Sequence, residues 1–533
     1  MFKSSFKKIT VWICSLAVIC GGLCSCSSAP SDSFSYPISE MPEVLDPQIA
    51  SSNAELTVVE NCMEGLVRLD RESKVIPAAA ESWDVSPDGR VYTFRLRKSG
   101  KWYVNTQNRE LVGESFDNRV TAKDFVFAIE RAVDKTTDAP DFSALSSVEG
   151  ARARHNGRNV ALGVYAKDDY TLVIKLKSKD SGFLKSLANS VFMPCNKEFF
   201  EATQGRYGRA VKYTLCNGAF VLTNIGDESV TFARNEEYSG EAKAKPSNVT
   251  LYLEEDEQAA LEKFSDGTYD AMPMPDYYGD KTSFGDKVTY QSYKDTVWVL
   301  ACNMKSSYGG SDSFRKALMK SVEIPTSGAP DGFTPANGII PDICTAQGEN
   351  YRKAAGKVQG VKKDVKAAVG FYESSLDSLG LESASFKVLC PDFLEDYTKL
   401  LVQSWQKNLG TSFAATIESL PLGELKGRVS SGDYTFAVCP LGADSESTAA
   451  FLNQFALSDN SFGYKSSTFN GILADGNSIG NLKRAEEHIV RRSLLLLPLL
   501  SSESYYMINK NISGIYFYAF GGKVNFVGAV RSK

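Results

Sequence analysis

The stretch from Glu64 to Trp102, EGLVRLDRESKVIPAAAESWDVSPDGRVYTFRLRKSGKW, constrains the fold more than any other part of the chain. Ser86-Pro87-Asp88-Gly89 predicts a tight turn, because proline presets φ and glycine supplies the positive φ that reversal needs. Beyond it Tyr92, Phe94 and Leu96 alternate with Thr93, Arg95 and Arg97, the pattern of an antiparallel strand with one buried face. A hairpin is thus expected near the start of the chain, and nothing in it suggests catalysis.

The chain around this hairpin has 533 residues, room for several average domains or for two large lobes. Its 43% hydrophobic and 23% charged residues are those of an ordinary globular protein with ample core. A net charge of -5 without any Lys/Arg-rich block argues against nucleic-acid binding. The only histidines, His155 and His488, lie far apart, which argues against a His-rich metal site or a histidine-based triad. The sequence holds no Gly-x-Ser-x-Gly, Gly-x-Gly-x-x-Gly, P-loop or HExxH motif, so no enzyme activity and no cofactor is expected.

Lys3, Lys7 and Lys8 precede an apolar run from Ile9 to Leu23, an export signal too short to span a membrane comfortably. Leu23-Cys24-Ser25-Cys26 resembles the bacterial lipobox, with Ser25 as the small residue before a lipid-modified Cys26. Two readings follow: residues 1–25 are a lipoprotein signal and Cys26 carries the membrane anchor, or a plain secretory signal is cleaved nearby. Residues 26–40, serine-rich as far as Tyr36, are expected to form a flexible tether. Seven further cysteines (Cys62, Cys195, Cys216, Cys302, Cys344, Cys390, Cys439) cannot all pair within the chain and show no zinc-like spacing. They read as buried small hydrophobes.

Periodicity then predicts a helix over Ala54–Leu66, a helix from Thr121 with the stripe Phe125, Ala128, Ile129, Ala132, and a strand at Tyr170–Leu176. A second hairpin is expected between Asn217-Gly218 and Tyr238, and a strand covered on both faces at Thr296–Cys302. Helices at Lys363–Leu379 and Asp392–Leu409 alternate with strands at Phe386–Leu389 and Thr435–Cys439, and Pro440–Phe451 reads as a loop entering a helix. Leu494–Leu500 is a short apolar run and Ile515–Tyr518 a late strand. Strands mixed with helices in both halves indicate an α/β protein of at least two lobes.

Taken in order, several short blocks carry a likeness. They are Leu45-Asp46-Pro47 with Glu64-Gly65-Leu66, Ile76 to Trp83, Asp88-Gly89, Tyr92-Thr93-Phe94 and Val120 to Phe125. Asn217-Gly218-Ala219-Phe220, Arg234 to Tyr238, Gly267-Thr268-Tyr269-Asp270 and Phe314-Arg315-Lys316-Ala317-Leu318 continue the series. This collinear set resembles the family-5 extracellular solute-binding proteins of peptide ABC importers, the oligopeptide binders in particular. The resemblance implies a two-lobed periplasmic-binding-protein clamshell of type II. Lobe one would comprise 41–70, 189–295 and 504–533, with an inserted subdomain at 71–188, and lobe two would be 296–503. It further implies a monomer outside the cytoplasmic membrane that passes short peptides to an ABC permease and its ATPase subunits; the alternatives are the same fold holding a modified peptide, metal chelate, haem or glycan, or a surface interaction lipoprotein that no longer transports. The stretch from Glu64 to Trp102 would touch no solute, its hairpin belonging to the subdomain braced against lobe one.

In this family the peptide lies extended between the lobes, bonded through its main chain, which tolerates varied side chains. Gly442-Ala443-Asp444-Ser445 before Phe451-Leu452-Asn453 resembles the place of the aspartate that holds the peptide ammonium, which makes Asp444 the first candidate. A desolvated ammonium needs such a carboxylate; the competing reading is that Asp444 caps the following helix. Ala443 and Leu441 flank the position, Leu441 standing where the family often has an aromatic residue. Ser51-Ser52-Asn53 falls where the family's loop offers backbone groups, or is a plain surface turn. Val438 stands where a basic residue is often found, and Arg428 is the nearby cation that would replace it.

Overall fold

The computed structural model describes residues 32–180, 182–274, 281–443, 445–520 and 522–532. The hairpin read from Ser86–Gly89 forms as strands Ala80–Val85 and Val91–Leu96, with Gly89 at φ +70 and Ser86 Oγ accepting from the Val91 amide at 2.8 Å. Strands Thr171–Lys175 and Val164–Asp168 extend it to a four-stranded sheet. Tyr92, Phe94, Leu96, Leu172 and Ile174 share one apolar core with Phe125, Ala128, Ile129 and Ala132 of helix Ala122–Val133. Asp124 opens that helix by accepting from the Thr121 amide at 2.7 Å, although burial pushes its carboxyl up to about 6.

A second sheet runs in the order Ser33–Ile38, Asn248–Leu253, Ser229–Arg234, Phe220–Ile225. Its first strand corrects the expectation of a tether from Ser33 to Ile38; residues 26–31 lie outside the described residues. Phe34, Tyr36 and Ile38 alternate with polar residues and a proline, and the strand pairs in parallel with Asn248–Leu253. The serine-rich composition masked a period of two. Phe517, Val524 and Phe526 from the chain's end enter the same core, which brings the C-terminal segment back beside the first strand.

The largest sheet is seven-stranded: Ala271–Pro273, Leu496–Asn509, Val288–Cys302, Phe436–Gly442, Ala384–Pro391 and Phe413–Leu420 in order, with Thr334–Pro335 on the Leu496 strand. Val297, Val299 and Ala301 serve one core, and Trp298, Leu300 and Cys302 the other, as a strand covered on both faces requires. Helices Val365–Leu379 and Glu395–Leu409 cover one side, and Thr448–Asn453 with Ile479–Glu487 the other.

Four elements differ from the expectations. Helix Asn53–Cys62 stops before Glu64, strand Phe436–Gly442 takes in Pro440 to Gly442, and two strands are much longer than their apolar stretches. Val288–Cys302 and Leu496–Asn509 pair antiparallel, with a register shift between Tyr293 and Thr296. There Asp295 accepts from Ser504 Oγ at 3.0 Å. Upstream of the shift Tyr290 and Met507 belong to a core with Phe264 and Met272; downstream the strands enter the cores of the second lobe. Two continuous strands therefore join the lobes, and the shift between Tyr293 and Thr296 interrupts their pairing between the two sets of cores. All seven described cysteines are buried and none is disulfide-bonded.

Candidate functional site

The two lobes enclose a cavity of about 1420 Å³. Ligand cavities commonly span about 300–1,000 Å³, so this one has room for an extended ligand with solvent around it. Its lining comes from the end of helix Asn53–Cys62 with the segment after it, the subdomain edge from Pro140 with the segment that follows to Met193, Gly218–Ala219 with Tyr238 and Ala242, the C-terminal segment from Tyr516, and the Thr345, Ser445 and Asn477 segments of lobe two.

Glu64, from the stretch that opened the sequence analysis, lies on this surface and is held from both hairpins. Its Oε2 accepts from Arg97 Nη2 at 2.6 Å, and the Tyr238 hydroxyl donates to its Oε1. Burial together with that carboxylate raises the Tyr238 hydroxyl pKa strongly. Asn217 completes the joint, accepting from the Glu64 amide and donating to the Glu64 carbonyl, both at 2.9 Å. Gly218 follows because a Cβ there would lie 2.8 Å from the Cys62 carbonyl carbon. The Glu64-Gly65 and Asn217-Gly218 motifs are thus two sides of one close backbone contact. Gly65, Arg68 and Ala78 also line the cavity, so the leading end of the stretch faces the cleft, whereas no residue of the hairpin Ala80–Leu96 lines it.

Beside this joint, Tyr518 and Lys523 grip Glu60: the hydroxyl donates to Oε1 and Lys523 Nζ lies 3.2 Å from Oε2. Burial and Glu60 push the Tyr518 hydroxyl pKa up. The aromatic run Tyr516-Phe517-Tyr518-Ala519-Phe520 is the sequence signal for this wall, beyond the strand that Ile515–Tyr518 predicts. Only Tyr516–Phe517 is strand.

Across the cleft, Lys185 of the subdomain forms an ion pair with Glu446 of lobe two, each side chain 29% exposed. Glu446 is fixed from behind, its carbonyl accepting from the Thr345 amide at 2.6 Å. Apart from Glu446, the described lining of lobe two is uncharged and includes Thr345, Ala346, Ser445, Ser447 and Ala450.

The residues named from sequence fall as follows. Asp444 and Cys26 lie outside the described residues. Ser445 and Glu446, directly after Asp444, line the cavity. Leu441 is buried in the lobe-two sheet opposite Val297, and the Ala443 amide donates to the Asp295 carbonyl at 3.3 Å. Ser52 caps helix Asn53–Cys62, and the Ser51 and Ser52 amides both donate to Glu55 Oε2, at 2.9 and 3.1 Å. Ser51, Ser52, Asn53, Leu441 and Ala443 are not part of the cavity lining. Arg428 is committed elsewhere, to Glu418 and Asp433. Among the described residues no cluster of His, Cys, Asp and Glu could hold a metal ion, and no helix is long and apolar enough to cross a membrane.

A two-lobed α/β clamshell with a large solvent-lined cleft is the form of an extracellular solute-binding protein. Residues 74–463 match the family described as bacterial extracellular solute-binding proteins, family 5 (middle), and the chain belongs to that family. It is 32% identical over 292 residues to the oligopeptide-binding protein AmiA of Streptococcus pneumoniae, covering 52% of this chain and 42% of that relative. It is 22% identical over 500 residues to the dipeptide-binding protein DppE of Bacillus subtilis, covering 90% and 88%. Among solved structures, Listeria monocytogenes OppA bound to peptide superposes with a TM-score of 0.73 at 22% identity, covering 95% of this chain and all of that one (100%). The matches to the first two relatives, AmiA and SarA of Streptococcus gordonii, span 42% and 49% of those proteins.

Proposed function

We propose that this protein captures short peptides in the interlobe cleft and delivers them to an ABC permease, acting as a monomer without catalysis. The observation that carries this reading is the cleft itself, about 1420 Å³ and lined from both lobes by polar and aromatic residues. The names of AmiA, DppE and OppA support peptides as the solute class. Closure would bend the paired strands at the shift between Tyr293 and Thr296, which lies next to the proposed lobe boundaries at 295/296 and 503/504. In this reading Asp444 pairs with the peptide ammonium, since its neighbours Ser445 and Glu446 already line the cavity. A lipid on Cys26 holds the protein at the extracytoplasmic face of a membrane.

Mass spectrometry of solute that co-purifies with the recombinant protein tests the solute class, and peptides are expected. Recovery of a glycan, haem or metal chelate with no peptide sinks the assignment. For Asp444→Ala, calorimetry is expected to show peptide affinity weaker by about 2–5 kcal/mol, the usual cost of truncating one partner of a buried charge pair. An unchanged dissociation constant removes Asp444 from the site.

A further inference from the structure

The cleft is more basic than the protein around it. The whole chain carries a net charge of -5, yet six cations line the cavity: Arg68, Arg152, Lys177, Lys179, Lys185 and Lys523. The described acids on the same surface are Glu60, Glu64, Asp141, Asp180 and Glu446. Three of these five are neutralised in ion pairs, Glu60 by Lys523, Glu64 by Arg97 and Glu446 by Lys185. The other two are engaged as acceptors, Asp141 from Asn189 Nδ2 at 2.8 Å and Asp180 from the Gly182 amide at 3.0 Å. Arg152, Lys177 and Lys179 form no ion pair among the described residues and remain exposed.

These three cations are placed by the fold of the subdomain edge. The Lys177 amide donates to the Ser147 carbonyl at 3.0 Å, which sets the end of the Thr171–Lys175 strand beside the segment leading into helix Ala151–His155, the helix of Arg152. The Lys179 stem lies over the turn glycine of the first hairpin, close enough that a Cβ on Gly89 would meet its Cγ at 2.9 Å. Arg152, Lys177 and Lys179 thus line the cavity from one edge, and among the described lobe-two lining residues only Glu446 is charged. Low-dielectric walls focus the field of such a group and favour ligands of opposite sign.

We infer that the cleft selects peptides bearing acidic side chains, and that Arg152, Lys177 and Lys179 are the residues that set this preference. The inference rests on the peptide-capturing reading above. Asp444 would take the peptide ammonium, while this edge takes side-chain carboxylates.

The test is calorimetric titration of the exported protein with three matched tetrapeptides, Ala-Glu-Glu-Ala, Ala-Gln-Gln-Ala and Ala-Lys-Lys-Ala, at low and high salt. The acidic peptide is expected to bind about tenfold more tightly than the glutamine peptide, and the lysine peptide most weakly, with the gap narrowing in salt. In the triple variant Arg152→Gln, Lys177→Gln, Lys179→Gln the ratio of acidic to glutamine affinity should fall towards one. Thermal unfolding of the same variant should match the wild type, because all three side chains are exposed. Equal affinity for acidic and glutamine peptides, tighter binding of the lysine peptide, or a ratio unchanged in the folded triple variant overturns the charge assignment while leaving peptide capture intact. Failure of all three peptides to bind, with a non-peptide solute recovered from the protein, removes peptide capture and this inference together.

Discussion

The two walls of the cleft are built by opposite means. On the lobe-one side, carboxylates are buried and braced: Glu64 between Arg97 and Tyr238, and Glu60 between Lys523 and Tyr518. On the lobe-two side the described wall is small and neutral but for Glu446, and helix Thr448–Asn453 is held at its start by the Ser447 hydroxyl. The braced wall stores its rigidity in charge pairs between distant segments. The neutral wall leaves backbone and hydroxyl groups to face a ligand, which suits main-chain recognition of varied peptides.

The comparison can be broken most severely at Glu64. Glu64→Ala removes the acceptor from Arg97 Nη2 and the Tyr238 hydroxyl, both largely buried. Denaturant unfolding should show a loss of about 3–5 kcal/mol, the cost of leaving a buried charge without its partner. A loss no larger than an exposed pair gives would mean the wall is not braced by charge. Gly218→Ala comes next, since its new methyl must displace the Cys62 backbone at 2.8 Å. Overpacking of that kind costs about 1–3 kcal/mol, and full stability in a melt would show that the Glu64–Asn217 joint can open freely.

On the neutral wall the effects should be smaller. Ser447→Ala loses the cap that accepts from the Ala450 amide at 3.2 Å. About 1 kcal/mol is expected, and hydrogen exchange should localise it to the 444–453 segment rather than to the whole molecule. Lys185→Gln breaks the one described ion pair bridging the cleft walls, between partly exposed groups. Stability should change by less than about 1 kcal/mol, while small-angle scattering of the ligand-free protein should shift towards a more open form. An unmoved scattering profile would show that the Lys185–Glu446 pair does not bias closure.

Much of the fold was readable because its elements announce themselves locally. Gly89 at a positive φ, the stripe from Phe125 to Ala132 and the two-faced Thr296–Cys302 run each follow from a period or a turn residue. What escaped were features whose cause lies far off in the chain. Ser33–Ile38 is a strand because Asn248–Leu253 waits beside it, and Ser504–Asn509 is sheet because Val288–Tyr293 lies alongside. The site was less legible still. Ser51 and Ser52 look like free loop amides in sequence, but Glu55, in the first turn of helix Asn53–Cys62, consumes them. Arg428 looked available until Glu418 and Asp433 were found on it.

By itself the sequence determined the kind of protein this is, since the ordered blocks from Leu45 to Leu318 encode turns, caps and stripes that follow from local periodicity and turn chemistry. The tertiary structure alone decided what the cleft is made of. It brought Glu64, Lys185, Glu446 and Tyr518 onto one surface from segments hundreds of residues apart. Burial and pairing then decided which charges are spent inside the protein and which, like Arg152, Lys177 and Lys179, are left to meet a ligand. The stretch from Glu64 to Trp102 changed meaning with it: a fold signature in the chain, it is at its leading end part of the wall.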